Sequence, residues 1–431
     1  MIDKTDLIKY FQSGCKENHN LNIGVEHEKF LFESKSNKRI NFETVAKIFS
    51  FLEQFGWEPH KENNNIIALY KGEKNITLEP GNQIELSGAP LKSIHQNCSE
   101  SYTFLDELKK ACKSFDLKMM ATSYDPFSKL ESVPKSPKQR YKIMTDEMPK
   151  NGKLSLEMMY QTCGTQINLD YTSEEDFIKK FKLTTFLVPL SIAIFANSPL
   201  KEKKLNGYLS YRSKVWQNTS RGGLPKIFLE DMDFEKYADM AINMPLLFLY
   251  KNGSYLKTEG KTFKEFMQGK LLTEKKENPN IKDFENHLAT IFTEVRLKKY
   301  IEIRSLDTCE WDCHCSGPAF YTGLLYGSLD EALEVINKWN VSDVLNAYIE
   351  APKKGFETIL ANKTLLEWGK IFLNLSKKGL QLRSIKNDSG NDESIFLNSI
   401  DNIVKKKSNK AMNTIDKFKK ENNLDFLYEK A

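Results

Sequence analysis

The sequence predicts an α+β protein, an antiparallel sheet with helices packed on its back, and two observations predict it. Four segments alternate apolar and polar residues with a period of two, the repeat of a strand that buries one face. Between them, and almost continuously from Leu329 onward, apolar residues recur with helical spacing.

In Ile23 to Leu31, one face holds Ile23, Val25 and Leu31 and the other holds Glu26 and Glu28. In Ile76 to Leu86, the Pro80-Gly81-Asn82 group reads as a turn between two short strands. Ile76, Leu78, Ile84 and Leu86 share the apolar side there, while Glu79, Gln83 and Glu85 share the polar one. Over Glu294 to Arg304, one strand is expected, with Glu294, Arg296, Lys298, Glu302 and Arg304 alternating with Val295, Leu297, Ile301 and Ile303. In Thr165 to Asp170, Gln166, Asn168 and Asp170 oppose Ile167 and Leu169. Four strands with apolar backs and acid- or arginine-bearing fronts make an antiparallel sheet. Helices are expected over Asp3–Gly14, Phe42–Phe55, Ser93–Phe115 and Ser173–Ala196, and a loop flanking a short helix over Val133–Lys153.

The whole chain narrows the function classes. Its 431 residues allow a large core. The longest apolar stretch, Phe186 to Phe195, contains Pro189 and Ser191 and falls well short of the roughly 20 residues of a membrane span. The amino terminus lacks the pattern of a signal or transit peptide, so the expected location is the cytoplasm. Seven cysteines at irregular spacings are expected to be free thiols. The 63 basic residues nearly balance 58 acidic ones, which gives no reason to expect a nucleic-acid partner. The lysines at 405–407, 417, 419 and 420 read as a solvated helix face.

The front of the sheet carries the chemistry. Glutamate is disfavoured in strands, yet Glu26 and Glu28 stand two residues apart on one face, where their repulsion is uncompensated within the strand. A divalent cation removes that objection. Mg²⁺ takes oxygen ligands and is commonly shared between carboxylates and substrate phosphates. Glu26, Glu28, Glu79, Glu85 and Glu302 together could hold two or three such ions along a triphosphate, and Arg304 could meet the phosphoryl group in transfer. No Walker A sequence occurs, and Gly222-Gly223 is too short to cradle phosphates, so an ATP site has to rest on metals and basic side chains.

These segments are familiar as a set. Ile23-Gly24-Val25-Glu26-His27-Glu28-Lys29-Phe30, the run from Leu78 to Leu91 with His95-Gln96, Arg140-Tyr141-Lys142-Ile143-Met144 and Gln166 to Asp170 come in order. Phe195-Ala196-Asn197-Ser198-Pro199, Asn206 to Ser213 and Glu294 to Arg304 follow. The chain thereby resembles the plant and proteobacterial type of glutamate-cysteine ligase, within the glutamine synthetase-like carboxylate-amine ligases, over roughly residues 20 to 330. The resemblance implies a curved antiparallel sheet forming a funnel-like active site, with ATP and Mg²⁺ at one end and L-glutamate and L-cysteine at the other. It implies Glu26, Glu28, Glu79, Glu85 and Glu302 as metal positions and Arg304 at the transferring phosphate. Arg140 and Arg212, with Gln166 and Asn168, are implied at the substrates. The expected activity is ligation through a γ-glutamyl phosphate, the first step of glutathione biosynthesis. Residues 1–330 would form the catalytic domain and 331–431 a helical region packed on it, in a monomer or homodimer with no membrane or nucleic-acid partner. A ligase with another acceptor amine is the alternative, and a scaffold that had lost activity would be expected to lose the acids.

The run from Ser305 to Cys315 departs from the Gly-rich stretch of plant relatives. Cys309, Cys313, His314 and Cys315 lack zinc-ligand spacing and read as packed thiols. Cys163 reads as a small buried hydrophobe, and His27 and His95 as structural residues.

Overall fold

The computed structural model describes residues 2–271, 278–421 and 423–429. Its main sheet has strands β1 (Ile23–Glu33), β2 (Glu58–Glu62), β3 (Asn65–Lys71), β4 (Lys74–Leu78), β5 (Ile84–Ser87), β6 (Leu117–Met120), β7 (Gly164–Leu169), β8 (Val295–Leu297) and β9 (Ile301–Asp307). All pair antiparallel in the order β8–β9–β7–β1–β5–β4–β3–β2, with β6 on the far end of β1.

Because paired residues share a face, the register shows which side chains meet. Thr77, Glu85 and Glu28 form one row, Ser87, Glu26 and Gln166 the next, and Asn168, Glu302 and Arg296 a third. The row between the second and third is Val25, Ile167, Ile303 and Val295, and the row beyond the third is Ile23, Leu169, Ile301 and Leu297, all buried. The period-two reading therefore holds across the sheet. His27 lies on that back face against Leu86 and Thr165, its ring tilted against that of His314 with centroids 4.2 Å apart, a packing role as expected.

Two features break the expected pattern. The segment from Glu294 is a hairpin rather than one strand, closed where the Lys298 N–H donates to the Tyr300 carbonyl at 2.9 Å. Beyond it, β9 carries one extra residue against β7: Ile303 faces Ile167, but Leu306 faces Thr165. That bulge takes Arg304 out of the ladder with β7, and the Arg304 N–H donates instead to the Glu294 carbonyl at 2.9 Å. A bulge re-aims a side chain that regular pleating would fix.

Helices cover the back. Phe42–Leu52 and Ile94–Ser114 pack on Leu31, Ile76 and Leu86. Glu174–Phe186 and Val188–Phe195 divide the single expected helix, with Pro189 in the first turn of the second, where its missing N–H costs nothing. They share one core with Val25, Ile167 and Ile303 and with Phe320, Phe372 and Ile400 of the C-terminal helices. Among the described residues no helix is long and apolar enough to cross a membrane.

The end of the chain returns to the first strand. Lys29 of β1 and Glu429 form an ion pair of 2.7 Å, with both side chains at most 4% exposed. Lys29 Nζ also donates to the Cys309 carbonyl at 2.7 Å, and the Glu429 N–H to the Met119 carbonyl at 2.8 Å.

The expectation of seven free thiols is corrected. Cys98 is bonded to Cys315 and Cys309 to Cys313, with Cα atoms 5.8 and 6.2 Å apart, leaving Cys15, Cys112 and Cys163 free. The first bridge spans 217 positions, so only the fold brings its ends together, and the sequence spacing gave no sign of it. Cys163 is fully buried, as expected.

Candidate active site

The front of the sheet forms one wall of a cavity of about 890 Å³. Seven of the ten expected site residues line it: Glu26, Glu28, Glu79, Glu85, Arg140, Gln166 and Arg304. The other three do not line it, although the register sets Asn168 and Glu302 on the same front face. Asn168 donates to Glu26 Oε1 at 2.8 Å, Arg212 is 2% exposed, and Glu302 is completely buried.

The wall divides electrostatically into two parts. In the first, Glu28 and Glu85 face each other across β1 and β5, with Gln166 Nε2 donating to both, at 3.3 and 3.4 Å. The Gly164 N–H donates to Glu28 at 2.6 Å, and the Thr77 hydroxyl to Glu85 at 2.8 Å. Tyr141, on the helix Gln139–Glu147, donates to Glu79 at 3.2 Å and accepts from Arg140 Nη2 at 3.1 Å. Among the described residues none of Glu26, Glu28, Glu79 and Glu85 has a lysine or arginine within ion-pair distance. Burial and then Glu79 push Glu28 up to about 7, and burial with Glu79, Glu26 and Glu28 pushes Glu85 well above the usual carboxylate range.

The second part is the reverse. Arg296 grips Glu302 with Nε at 2.8 Å and Nη2 at 2.6 Å, Lys298 approaches at 3.3 Å, and Arg304 Nη1 donates to both Glu302 and Gln166. Burial opposes ionisation of Glu302, but these three cations overcome it and hold the group well below its usual range. Sequence reasoning passed over Arg296 and Lys298 as site residues, although their alternation with Val295 and Leu297 put them on the front.

The first part fits a divalent cation: its carboxylates are crowded, Glu28 and Glu85 are raised in pKa, and no basic side chain stands within ion-pair distance of the four among the described residues. Among the described residues no three ligating side chains enclose an ion by themselves, so substrate or water oxygens have to complete its shell. Glu302 is saturated by its cations and becomes a ligand only by exchanging one of them.

The family model described as glutamate-cysteine ligase family 2 (GCS2) matches residues 22–429. The chloroplastic glutamate-cysteine ligase of Nicotiana tabacum is 40% identical over 410 residues, covering 94% of this chain and 77% of the relative. That of Arabidopsis thaliana has the same identity and coverage. Among solved structures, glutamate-cysteine ligase from Francisella tularensis in complex with AMP superposes with a TM-score of 0.52 at 14% identity, covering 93% of this chain and 85% of that one. It shares the fold. The cytoplasmic expectation is corrected: these plant relatives are named chloroplastic, and a missing leader pattern, on which the expectation rested, carries no location. By the extent of the family match and the identity to these relatives, the chain belongs to glutamate-cysteine ligase family 2.

Proposed function

We propose that the chain is an ATP-dependent ligase that joins the γ-carboxylate of L-glutamate to the amino group of L-cysteine, the first step of glutathione biosynthesis. The observation that carries this reading is one cavity in which carboxylates lacking a cation stand beside Arg304, a buried guanidinium aimed at the same space. A metal-bound triphosphate and a carboxylate can meet only where such charges are paired off.

A γ-carboxylate oxygen attacks the γ-phosphorus of ATP, the bond to the β-phosphate oxygen breaks, and ADP leaves. The cysteine amine then attacks the acyl carbon, phosphate departs with the oxygen that had attacked, and the amide nitrogen loses a proton. Mg²⁺, held by Glu26, Glu28, Glu79 and Glu85, would neutralise phosphate charge, with Glu302 joining only on release of a basic partner. Arg304 balances charge on the transferring group, while Gln166 orients Glu28, Glu85 and Arg304 together. Arg140 faces the cavity with an Nε that has no hydrogen-bond partner among the described residues, and holds a substrate carboxylate. Arg212, buried outside the cavity lining, takes that role only for a carboxylate that reaches it, and Asn168 acts by holding Glu26. Catalysis is assigned to residues 1–330, with 331–431 as a helical region packed on them, in a monomer or homodimer.

Glutamate labelled with ¹⁸O in its γ-carboxylate tests this. With ATP, Mg²⁺ and cysteine, one labelled oxygen is expected in inorganic phosphate, with ADP as the nucleotide product. AMP, or unlabelled phosphate beside a new γ-glutamyl amide, overturns the mechanism. Comparable rates with glycine or ammonia in place of cysteine overturn the acceptor.

A further inference from the structure

Arg304 sits at the bulge of β9, held on one side by the Glu294 carbonyl at its N–H and by Glu302 and Gln166 at its Nη1. The bulge in β9 removes it from the ladder with β7, and its Nε has no hydrogen-bond partner among the described residues. What flanks it is the short helix Tyr211–Trp216. Arg212 and Trp216, four positions apart, lie on the same side of that helix, and the Arg212 guanidinium carbon is 4.6 Å from the Trp216 ring centroid. Arg212 Nη2 donates to the Arg304 carbonyl at 2.8 Å. The Arg304 guanidinium carbon lies 5.1 Å from the same indole centroid. The helix thus holds Arg304 at two points, by its backbone through Arg212 and by its charged end through Trp216.

Other roles explain the indole less well. Trp216 is 5% exposed and lines the cavity, but its Nε1 has no partner among the described residues, so the ring is not there to satisfy a hydrogen bond. Among the described residues Arg212 has only Asp307 as an ion partner, at 4.0 Å from Nη1, and neither its Nε nor its Nη1 makes a hydrogen bond. Two guanidinium groups therefore share one aromatic ring in a buried wall, where attraction to the ring's electron-rich face is strongest.

We propose that Trp216 is a positioning residue for Arg304, its ring fixing the side of the guanidinium that Glu302 and Gln166 do not hold so that it meets the transferring phosphoryl group. This rests on the ligase reading above. Fluorine atoms withdraw charge from an indole face while nearly preserving its shape, so they separate this role from space filling.

The test is steady-state γ-glutamylcysteine formation by the full chain with tryptophan 216 replaced, at that position alone, by mono-, di-, tri- and tetrafluorotryptophan, beside Trp216→Phe and Trp216→Leu. We expect kcat to fall stepwise with fluorine number to about tenfold or more, with KM for ATP and glutamate within about threefold. Trp216→Leu should be lower still, and Trp216→Phe should recover part of the loss. A fluorinated series with wild-type kcat overturns the proposal, whatever Trp216→Leu does, because the ring then only fills space. A change confined to KM for glutamate also overturns it, placing the ring at the substrate. A wild type that ligates no glutamate overturns the functional reading itself, an outcome read before any variant is made.

Discussion

Glu28 and Glu85 stand opposite each other on neighbouring strands, and among the described residues the only side chain bridging them is the neutral amide of Gln166. Like charges so placed destabilise a sheet. Glu28 is raised to about 7 in the fold, so its carboxyl is harmless below about 4.5, the value for an unfolded chain, and its ionisation costs progressively more as pH rises toward 7. In EDTA, Glu28→Gln should therefore gain stability relative to wild type between pH 5 and 7.5, by at most about 3 kcal/mol given a cavity partly open to water. Added Mg²⁺ should cancel that gain while leaving the variant with turnover lower by orders of magnitude. Urea unfolding at the two pH values reads it, and a flat difference removes the argument for a cation between these strands.

Glu302→Gln should behave differently. Its carboxylate is the shared partner of Arg296, Lys298 and Arg304, all in a buried wall, so its loss leaves three cations poorly compensated. A cost of about 3 to 5 kcal/mol is expected, along with lost turnover. Thermal unfolding without metal distinguishes the two glutamates: a Glu302→Gln protein as stable as wild type contradicts the ion-pair account.

Arg140→Ala should raise KM for an amino-acid substrate about ten- to hundredfold, the worth of a charged hydrogen bond to a carboxylate, and leave KM for ATP nearly unchanged. Initial rates with each substrate varied in turn decide it. Loss of ATP affinity alone would move Arg140 to the nucleotide end.

The denatured, unreduced protein should expose three reactive thiols, and seven after reduction. Reduction should also lower Tm, since a bridge over 217 positions restrains the unfolded chain by an amount on the order of 5 kcal/mol in the loop-entropy picture. Thiol counting by alkylation and mass spectrometry checks the first statement, and paired melts the second. Seven thiols before reduction would remove both bridges.

Much of the site was legible because a strand's period of two needs no partner to be read: Glu26, Glu28, Glu79 and Glu85 fall on the front in sequence and in space. What was illegible depends on partners. Nothing in the residues around Arg304 marks a bulge, and a hairpin at Lys298–Tyr300 leaves alternation intact on both sides, so one strand and two read alike. Asn168 and Arg212 have the chemistry of substrate ligands, and only their contacts, with Glu26 and with the Arg304 carbonyl, show them occupied outside the cavity lining. Trp216 looks like any core aromatic until two arginines are seen beside its ring.

The pairing of Lys29 with Glu429 has a consequence in time. A ribosome adds on the order of 5 to 20 residues per second, so the strand carrying Glu26 and Glu28 leaves it tens of seconds before the residue that neutralises its buried lysine. Until then Lys29 has no acid to accompany it out of water, and closing the sheet around an unpaired ammonium is costly. The first strand of the sheet is therefore among the last to be locked, its buried lysine compensated only once Glu429 has emerged.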